Sequence, residues 1–307
     1  MQQTSVHPRG TVVLVLAAAI SLLLGSCSSE EPGASPTAEP TPEATPSPTL
    51  SAELMDRRWT ILYVGTDRNA HREEADEPIN TDALMLVSLS ADQSELTLVS
   101  LPRDTVDVPL ADGTTYPHKI NALYADQGID ALVGAMETLY ATEIDGHVLL
   151  DMDDFASLVD AVDVVEVSPE EPLVDPVVGL DLEAGTQTLD AEQTLGYVRT
   201  RVDKDYGRMG RQQEVVLDLV QRLVDPETEI DVAALLDGLD SLETDLPLDE
   251  LFTLMELARR ADDATVNELV IQPPLITFEG DRGDGRGYIL EPDVEAIRAE
   301  VQELIGD

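Results

Sequence analysis

At 307 residues and 43% hydrophobic content the chain can build a real core, in one large domain or two small ones; with 4% aromatics that core must be mainly aliphatic. Its 62 acidic residues against 18 basic ones give a formal charge of −44, which excludes a nucleic-acid-binding surface, since phosphate backbones need basic faces. Lysine occurs only at Lys119 and Lys204, a bias that hints at a salty or otherwise harsh extracellular setting.

The N-terminus reads MQQTSVHPRG, polar with one Arg, then TVVLVLAAAISLLL, an apolar run too short to favour a spanning helix. Leu24-Gly25-Ser26-Cys27 follows. A polar start, an apolar stretch and small residues before a cut describe a signal peptide, and the cysteine directly after them resembles a bacterial lipobox. That resemblance implies a lipoprotein signal over residues 1–26, cleavage before Cys27 and lipidation of its thiol. The product would sit at the extracytoplasmic face of the bacterial membrane, where several acyl chains hold a protein better than one. An ordinary secretory signal or an uncleaved anchor is the alternative. As the single cysteine, Cys27 forms no internal disulfide. Residues 27–54, rich in Pro, Ser, Thr, Ala and Glu with no apolar period, read as a disordered tether.

Residues 55–307 read as the folded part. Strands are predicted at Trp59–Val64, Ala83–Ser90 and Leu96–Leu101; the last two are continuous apolar runs joined by a short link, so they suggest a hairpin within a sheet buried on both faces. Helical patterns follow over 120–126, 129–140 and 154–162, with strands at 147–151 and 164–167. Asp190 opens a helix with Gln193 three residues on, which approximates a capping box. An amphipathic helix spans 212–223, and further helical patterns cover 231–236, 249–260 and 292–305. The mixture predicts an α/β class, a central mixed β-sheet covered by helices on both faces. EGDRGDGRGY at 279–288 reads as a flexible polar loop.

One stretch departs from the acidic background. YVRTRVDKDYGRMGRQQ, residues 197–213, holds Arg199, Arg201, Lys204, Arg208 and Arg211. Arg199 and Arg201 share a face if the segment is extended, and Arg208 and Arg211 share one if a helix starts there. Arginine forks bind phosphate oxygens bidentately, so the cluster points to an anionic ligand. A salt-bridge network with Asp203 and Asp205 is the structural alternative. Arg103, directly after a predicted strand, and Lys119 are further cationic points; α/β sheets place ligands at strand ends. Asp67 in GTD and Asp82 in NTD are acidic points at similar ends, suited to holding Mg²⁺ through oxygen if they converge.

GTD at 65–67, NTDALMLVSL at 80–89, LTLVSLPRDT at 96–105, KIN at 119–121 and YVRTR…GRMGRQQ at 197–213, in that order and at fitting intervals, resemble the LytR-CpsA-Psr family. AGTQTLDAEQTLGYVRTR resembles that family's approach to its arginine pair, and the likeness runs from about residue 59 to 225. The resemblance implies a membrane-attached phosphotransferase that moves a glycopolymer from a polyprenyl-pyrophosphate carrier to a peptidoglycan sugar hydroxyl, with pyrophosphatase activity on the side. Arg103, Lys119, Arg199, Arg201, Arg208, Arg211 and Gln212 would grip the pyrophosphate and head group. Asp67 and Asp82 would hold Mg²⁺ or Mn²⁺, and the lipid tail would enter an apolar pocket that the sequence does not locate. Arg103 would stabilise charge at phosphorus, and Asp104 or Asp203 would take the hydroxyl proton. The resemblance departs at Asn80, where the family carries Arg, which removes one phosphate contact. The alternative is therefore a non-catalytic envelope lipoprotein that binds the same carrier. Residues 226–307 carry no assignable motif.

Overall fold

The structure, a computed structural model, describes residues 50–69, 78–239 and 242–306. The expected signal peptide, Cys27 and most of the expected tether lie outside the described residues. Order begins slightly before the expected boundary at Met55, with α1 (Ala52–Met55). The Trp59 indole donates to the Leu54 carbonyl at 2.8 Å and Met55 is buried, so this turn is pinned to the first strand.

In chain order there follow β1 (Trp59–Thr66), β2 (Thr81–Leu89), β3 (Glu95–Ser100), β4 (Val108–Pro109) and β5 (Thr115–Tyr116). A 3₁₀ turn (Ile120–Ala122) leads to α2 (Leu123–Gln127), α3 (Ile129–Tyr140), β6 (Gly146–Leu150) and α4 (Met152–Ala161). Short strands β7 (Val165–Val167), β8 (Leu173–Asp175), β9 (Leu180–Leu182) and β10 (Gln187–Leu189) precede α5 (Ala191–Arg199) and α6 (Lys204–Val224). The chain ends with α7 (Val232–Gly238), β11 (Glu243–Thr244), α8 (Leu251–Ala261), β12 (Thr265–Val270), the β13 (Ile276–Asp281) and β14 (Tyr288–Pro292) hairpin, and α9 (Val294–Ile305).

The central sheet has the order β11-β6-β1-β2-β3-β12. β2 runs antiparallel to both β1 and β3, while β6 is parallel to β1 and β12 is parallel to β3. The carboxyl ends of β1, β3, β6 and β12 therefore lie along one edge, and β2 begins there. Alternation along the strands divides the core in two. Leu62, Val64, Leu84, Leu86, Val99 and Leu101 face α3 and α9. Trp59, Met85, Leu89, Leu96 and Leu98 face the other layer, with α8 over them. The expected doubly covered mixed sheet is what forms, with the expected β2–β3 hairpin in it.

TVNELV, for which the sequence carried no reading, forms the edge strand β12, its backbone pairing with β3 along all six residues. One segment differs from the sequence reading. EGDRGDGRGY is loop only in its middle: its ends are the facing strands β13 and β14, and Arg282 reaches Glu291 across the pair at 2.6 Å. Residues 226–307 are thus part of the same core, with Ile271, Ile276, Leu290, Ile297 and Val301 buried among the residues of α3 and β1. Ile297→Ala should lower unfolding stability by about 2–5 kcal/mol in a urea titration, the cost of a core cavity; a change near zero would mean that α9 is an appendage.

Candidate functional site

At the shared strand edge lies a cavity of about 280 Å³. Its wall takes Gly65 and Thr66 from the end of β1, Asp82 and Ala83 from the start of β2, and Arg103 just after β3. Leu150, Asp151 and Met152 come from the β6–α4 junction, Arg199 and Arg201 from the end of α5, and Arg208 and Gln212 from α6. The structure thus brings Arg103, Arg199, Arg201, Arg208, Gln212 and Asp82 together from segments more than a hundred residues apart.

The local sequence explains the placement. Asp190 caps α5 in a full capping box, its carboxylate accepting from the Gln193 amide at 2.9 Å while the Gln193 side chain accepts from the Asp190 amide at 3.2 Å. Thr200 then turns extended, which ends α5 and swings Arg201 out of the helix while Arg199 stays in its last turn. α6 starts at Lys204, eight residues before the amphipathic stretch recognised in the sequence. Its opening turn has no room for a side chain at Gly207, where a Cβ would sit 2.0 Å from Asp203 Oδ2.

The cations differ in their partners. Arg208 is 2% exposed and its Nη2 is ion-paired with Asp205 Oδ1 at 2.9 Å without hydrogen-bond geometry, while its Nε, like Arg103 Nε, has no hydrogen-bond acceptor among the described residues. Burial pulls the Arg208 guanidinium below its ordinary value, with Asp205 opposing the change, yet it stays charged at neutral pH. The Arg103 guanidinium is also partly desolvated, but its pairing with Asp82 holds it above the ordinary value. Arg211 does not line the cavity. Its Nε donates to the Tyr197 carbonyl at 2.9 Å, its Nη2 to the Thr200 carbonyl and its Nη1 to Asp203, both at 2.5 Å. It therefore ties the segment carrying Arg199 and Arg201 to α6. Lys119 pairs with Asp104 at 3.1 Å beside the cavity, outside its wall.

The carboxylates divide in the same way. Asp67 is buried, and its two oxygens accept from Asn80, one from the backbone amide at 2.7 Å and one from the side-chain amide at 2.8 Å. Asn80 is thus engaged with Asp67, directly behind the cavity. Asp205, noted in the sequence as a neutralising charge, does pair with the cluster, as Asp203 does with Arg211. Its Oδ1 lies 2.9 Å from Arg208 and 3.4 Å from Arg201, although both its oxygens are buried without hydrogen-bond geometry among the described residues. A desolvated cluster of guanidiniums and carboxylates that pair without full hydrogen bonding suits a polyanion together with a hard cation. No three acidic, His or Cys side chains among the described residues converge to hold a metal alone. Mg²⁺ and Mn²⁺ do not require that: one or two carboxylates plus phosphate oxygens are their usual set. The residues present fit such an ion.

Next to this polar cavity is a second, apolar one of about 510 Å³. Its walls are Ile61, Val87, Leu96 and Leu98 from the sheet, Leu219, Val220 and Leu223 from α6, and residues of α7 and α8 including Leu235 and Leu254. Tyr63, Leu150, Phe155 and Val216 line both cavities, so the two share this wall. The Tyr63 phenol, shielded there, is pushed up to about 12 by burial, so it is neutral and a donor at physiological pH. The period of α6 signals an apolar face, but only the structure shows that this face lines a hollow. Stability should separate the two arginine classes. Arg211→Ala, which strips partners from two carbonyls and Asp203, should cost about 1–3 kcal/mol in thermal unfolding. Arg201→Ala, at a half-open wall, should stay within about 0.5 kcal/mol of the parent.

The LytR_cpsA_psr family model matches residues 28–301. The chain is 27% identical over 261 residues to the cell wall biosynthesis protein LcpA of Corynebacterium glutamicum, covering 76% of this chain and 50% of that one. It is 29% identical over 247 residues to the polyisoprenyl-teichoic acid–peptidoglycan teichoic acid transferase TagU of Halalkalibacterium halodurans, covering 79% and 77%. The chain thus spans about half the length of LcpA and roughly three quarters of TagU. Its fold matches the crystal structure of B. subtilis TagV with a TM-score of 0.64 at 24% identity, over 81% of this chain and 98% of that one. With the motif order, the cavity and a match over most of its length, the chain belongs to the LytR-CpsA-Psr family.

Proposed function

We propose that this chain is a phosphotransferase that moves a glycopolymer from a polyprenyl-pyrophosphate carrier onto a peptidoglycan sugar hydroxyl. The observation that carries the reading is the pair of adjoining cavities that share four wall residues, a cationic one lined by four arginines and an apolar one beside it. A lipid pyrophosphate has that division of polarity. Its prenyl tail suits the apolar walls, and its pyrophosphate suits Arg103, Arg199, Arg201, Arg208 and Gln212. Lys119 and Arg211 support this site from behind, through Asp104 and the 199–203 segment.

In the reaction the acceptor hydroxyl forms a bond to the phosphorus that carries the glycopolymer. The anhydride bond breaks, and polyprenyl monophosphate leaves. Arg103 and Arg208 lie where charge would build on the phosphoryl oxygens, the arrangement in which fixed cations stabilise a transition state most. Asp82, with Asp205 near it, would hold Mg²⁺ or Mn²⁺, which would supply further charge neutralisation, while Asp67, its oxygens taken by Asn80, would support the site from outside the cavity wall. Both candidate bases are paired, Asp203 with Arg211 at 2.5 Å and Asp104 more loosely with Lys119 at 3.1 Å; Asp104, directly after Arg103, is the proposed proton acceptor. Water in place of the sugar would give pyrophosphatase activity. We further propose anchorage through lipidated Cys27 at the extracytoplasmic face; among the described residues no helix is long and apolar enough to cross a membrane.

One observation favours a second reading, a carrier-binding lipoprotein without turnover: Asn80 brings no charge and its amide is held by Asp67. Incubating the protein with a short polyprenyl-pyrophosphate sugar and following release of polyprenyl phosphate decides between them. The transferase reading expects release that stops with EDTA and falls about 10²–10³-fold in Arg208→Ala. Saturable binding without any release would establish the second reading. A tryptophan in the shared wall, Val216→Trp, should weaken geranylgeranyl pyrophosphate by about tenfold while sparing inorganic pyrophosphate, since only the former extends into the apolar cavity.

A further inference from the structure

The arginine cavity accounts for the donor, and its outer rim has features that the donor does not use. Aromatic side chains are scarce in this chain, at 4%. Among the described Phe, Trp and Tyr residues, Tyr288 is the one classed as exposed, with 52% of its surface open. It stands at the start of β14, and two residues later the Leu290 amide donates to the Asp104 carbonyl at 3.1 Å. Tyr288 is therefore held within a few residues of Arg103 and Asp104, the machinery proposed above.

A second aromatic meets it there. Glu279 on β13 accepts from Tyr288 through one oxygen at 3.1 Å and from Tyr206 through the other at 2.9 Å. Tyr206 sits in the first turn of α6, between the unsatisfied Asp205 and Arg208. The hairpin and the arginine helix are thus clasped through one carboxylate at the mouth of the cavity. Each Glu279 oxygen keeps a lone pair beyond the tyrosine it accepts from. Burial, followed by Glu279, raises both phenols above their ordinary values, so both stay neutral across the physiological range.

Most acids nearby are already paired: Asp104 with Lys119, Asp205 with Arg208, and Asp107 and Asp284 with Arg286. Glu279 has no cation among the described residues and carries its charge between the two tyrosines. The surface disfavours an anionic polymer where that carboxylate stands uncompensated. It suits a ligand with a flat apolar face for an exposed ring and with many neutral hydroxyl and amide donors for the carboxylates. A hexosamine ring is of that class.

We propose that Tyr206, Glu279 and Tyr288 form an acceptor subsite that holds an uncharged N-acetylhexosamine glycan segment beside the phosphoryl group. The subsite rests on the transferase reading above and gives the unassigned C-terminal hairpin its role. Tyr288 offers the ring on which the sugar stacks, Glu279 takes its hydroxyl or amide protons, and Tyr206 fixes Glu279 against α6. They are positioning residues; the reacting hydroxyl is delivered toward Asp104.

Calorimetric titration of the full chain in detergent with tetra-N-acetylchitotetraose, an uncharged glycan probe, tests the subsite. The expected result is saturable binding that Tyr288→Ala and Glu279→Gln each weaken by about tenfold or more, while Tyr288→Phe, which keeps the ring, stays within about threefold. Val266→Ala, exposed at the amino end of β12 and so at the opposite edge of the sheet, serves as the control and should bind as the parent does. Absence of binding by the parent, or Tyr288→Ala binding as tightly as the parent, overturns the subsite. A parallel titration of the parent with geranylgeranyl pyrophosphate separates the two readings. Lipid binding without glycan binding sinks the subsite alone. Tyr288-dependent glycan binding without lipid binding supports a glycan site and sinks the donor reading.

Discussion

The buried guanidinium of Arg211 is the interaction on which the site depends. A buried arginine is tolerated only if its donors find acceptors. Here they are the carbonyls of Tyr197 and Thr200 and the carboxylate of Asp203, all on the short connection between α5 and α6. Meeting that demand fixes the path of the connection, and the path presents Arg199 and Arg201 to the cavity. Arg208, one turn earlier on α6, faces the same cavity with donors unmet. One arginine is consumed by the scaffold so that its neighbours can remain available for a ligand.

Electrostatics explains why this arrangement suits so acidic a chain. A formal charge of −44 would repel a pyrophosphate from most of the surface. The cavity reverses that locally by desolvating Arg208 and packing Arg103 beside it, where interactions are screened less than at the surface. The acids nearby are not a contradiction. Asp82 and Asp205 keep the guanidiniums charged and compatible with one another, and they are oxygen donors of the kind Mg²⁺ accepts when phosphate completes its shell.

The apolar cavity shows a different compromise. α6 carries an apolar face long enough to fill the space against the sheet, and α7 and α8 could close on it. Instead their side chains line a hollow. Unfilled apolar volume gives up contacts that a packed core would make, and such a cavity is a natural place for a ligand tail to supply them.

Much of the fold and part of the site were legible in the sequence. The strands β1 to β3, the capping box at Asp190 and α3 follow from local pattern, because period and cap chemistry act within a few residues. The motif series marked Arg103, Arg199, Arg201, Arg208 and Gln212, and these do share one cavity. The sequence could not tell that Arg211 braces the backbone while Arg208 faces open space, since both lie on one helix face and differ only in what packs against them. Nor could it show that TVNELV is a strand, that Asn80 occupies both oxygens of Asp67, or that Glu279, beside Tyr288, meets Tyr206 across more than seventy residues of chain. Those are long-range pairings. Local propensity and periodicity determine which elements form; which side chains are left unsatisfied at the place where the elements meet is decided only when the whole sheet closes around them.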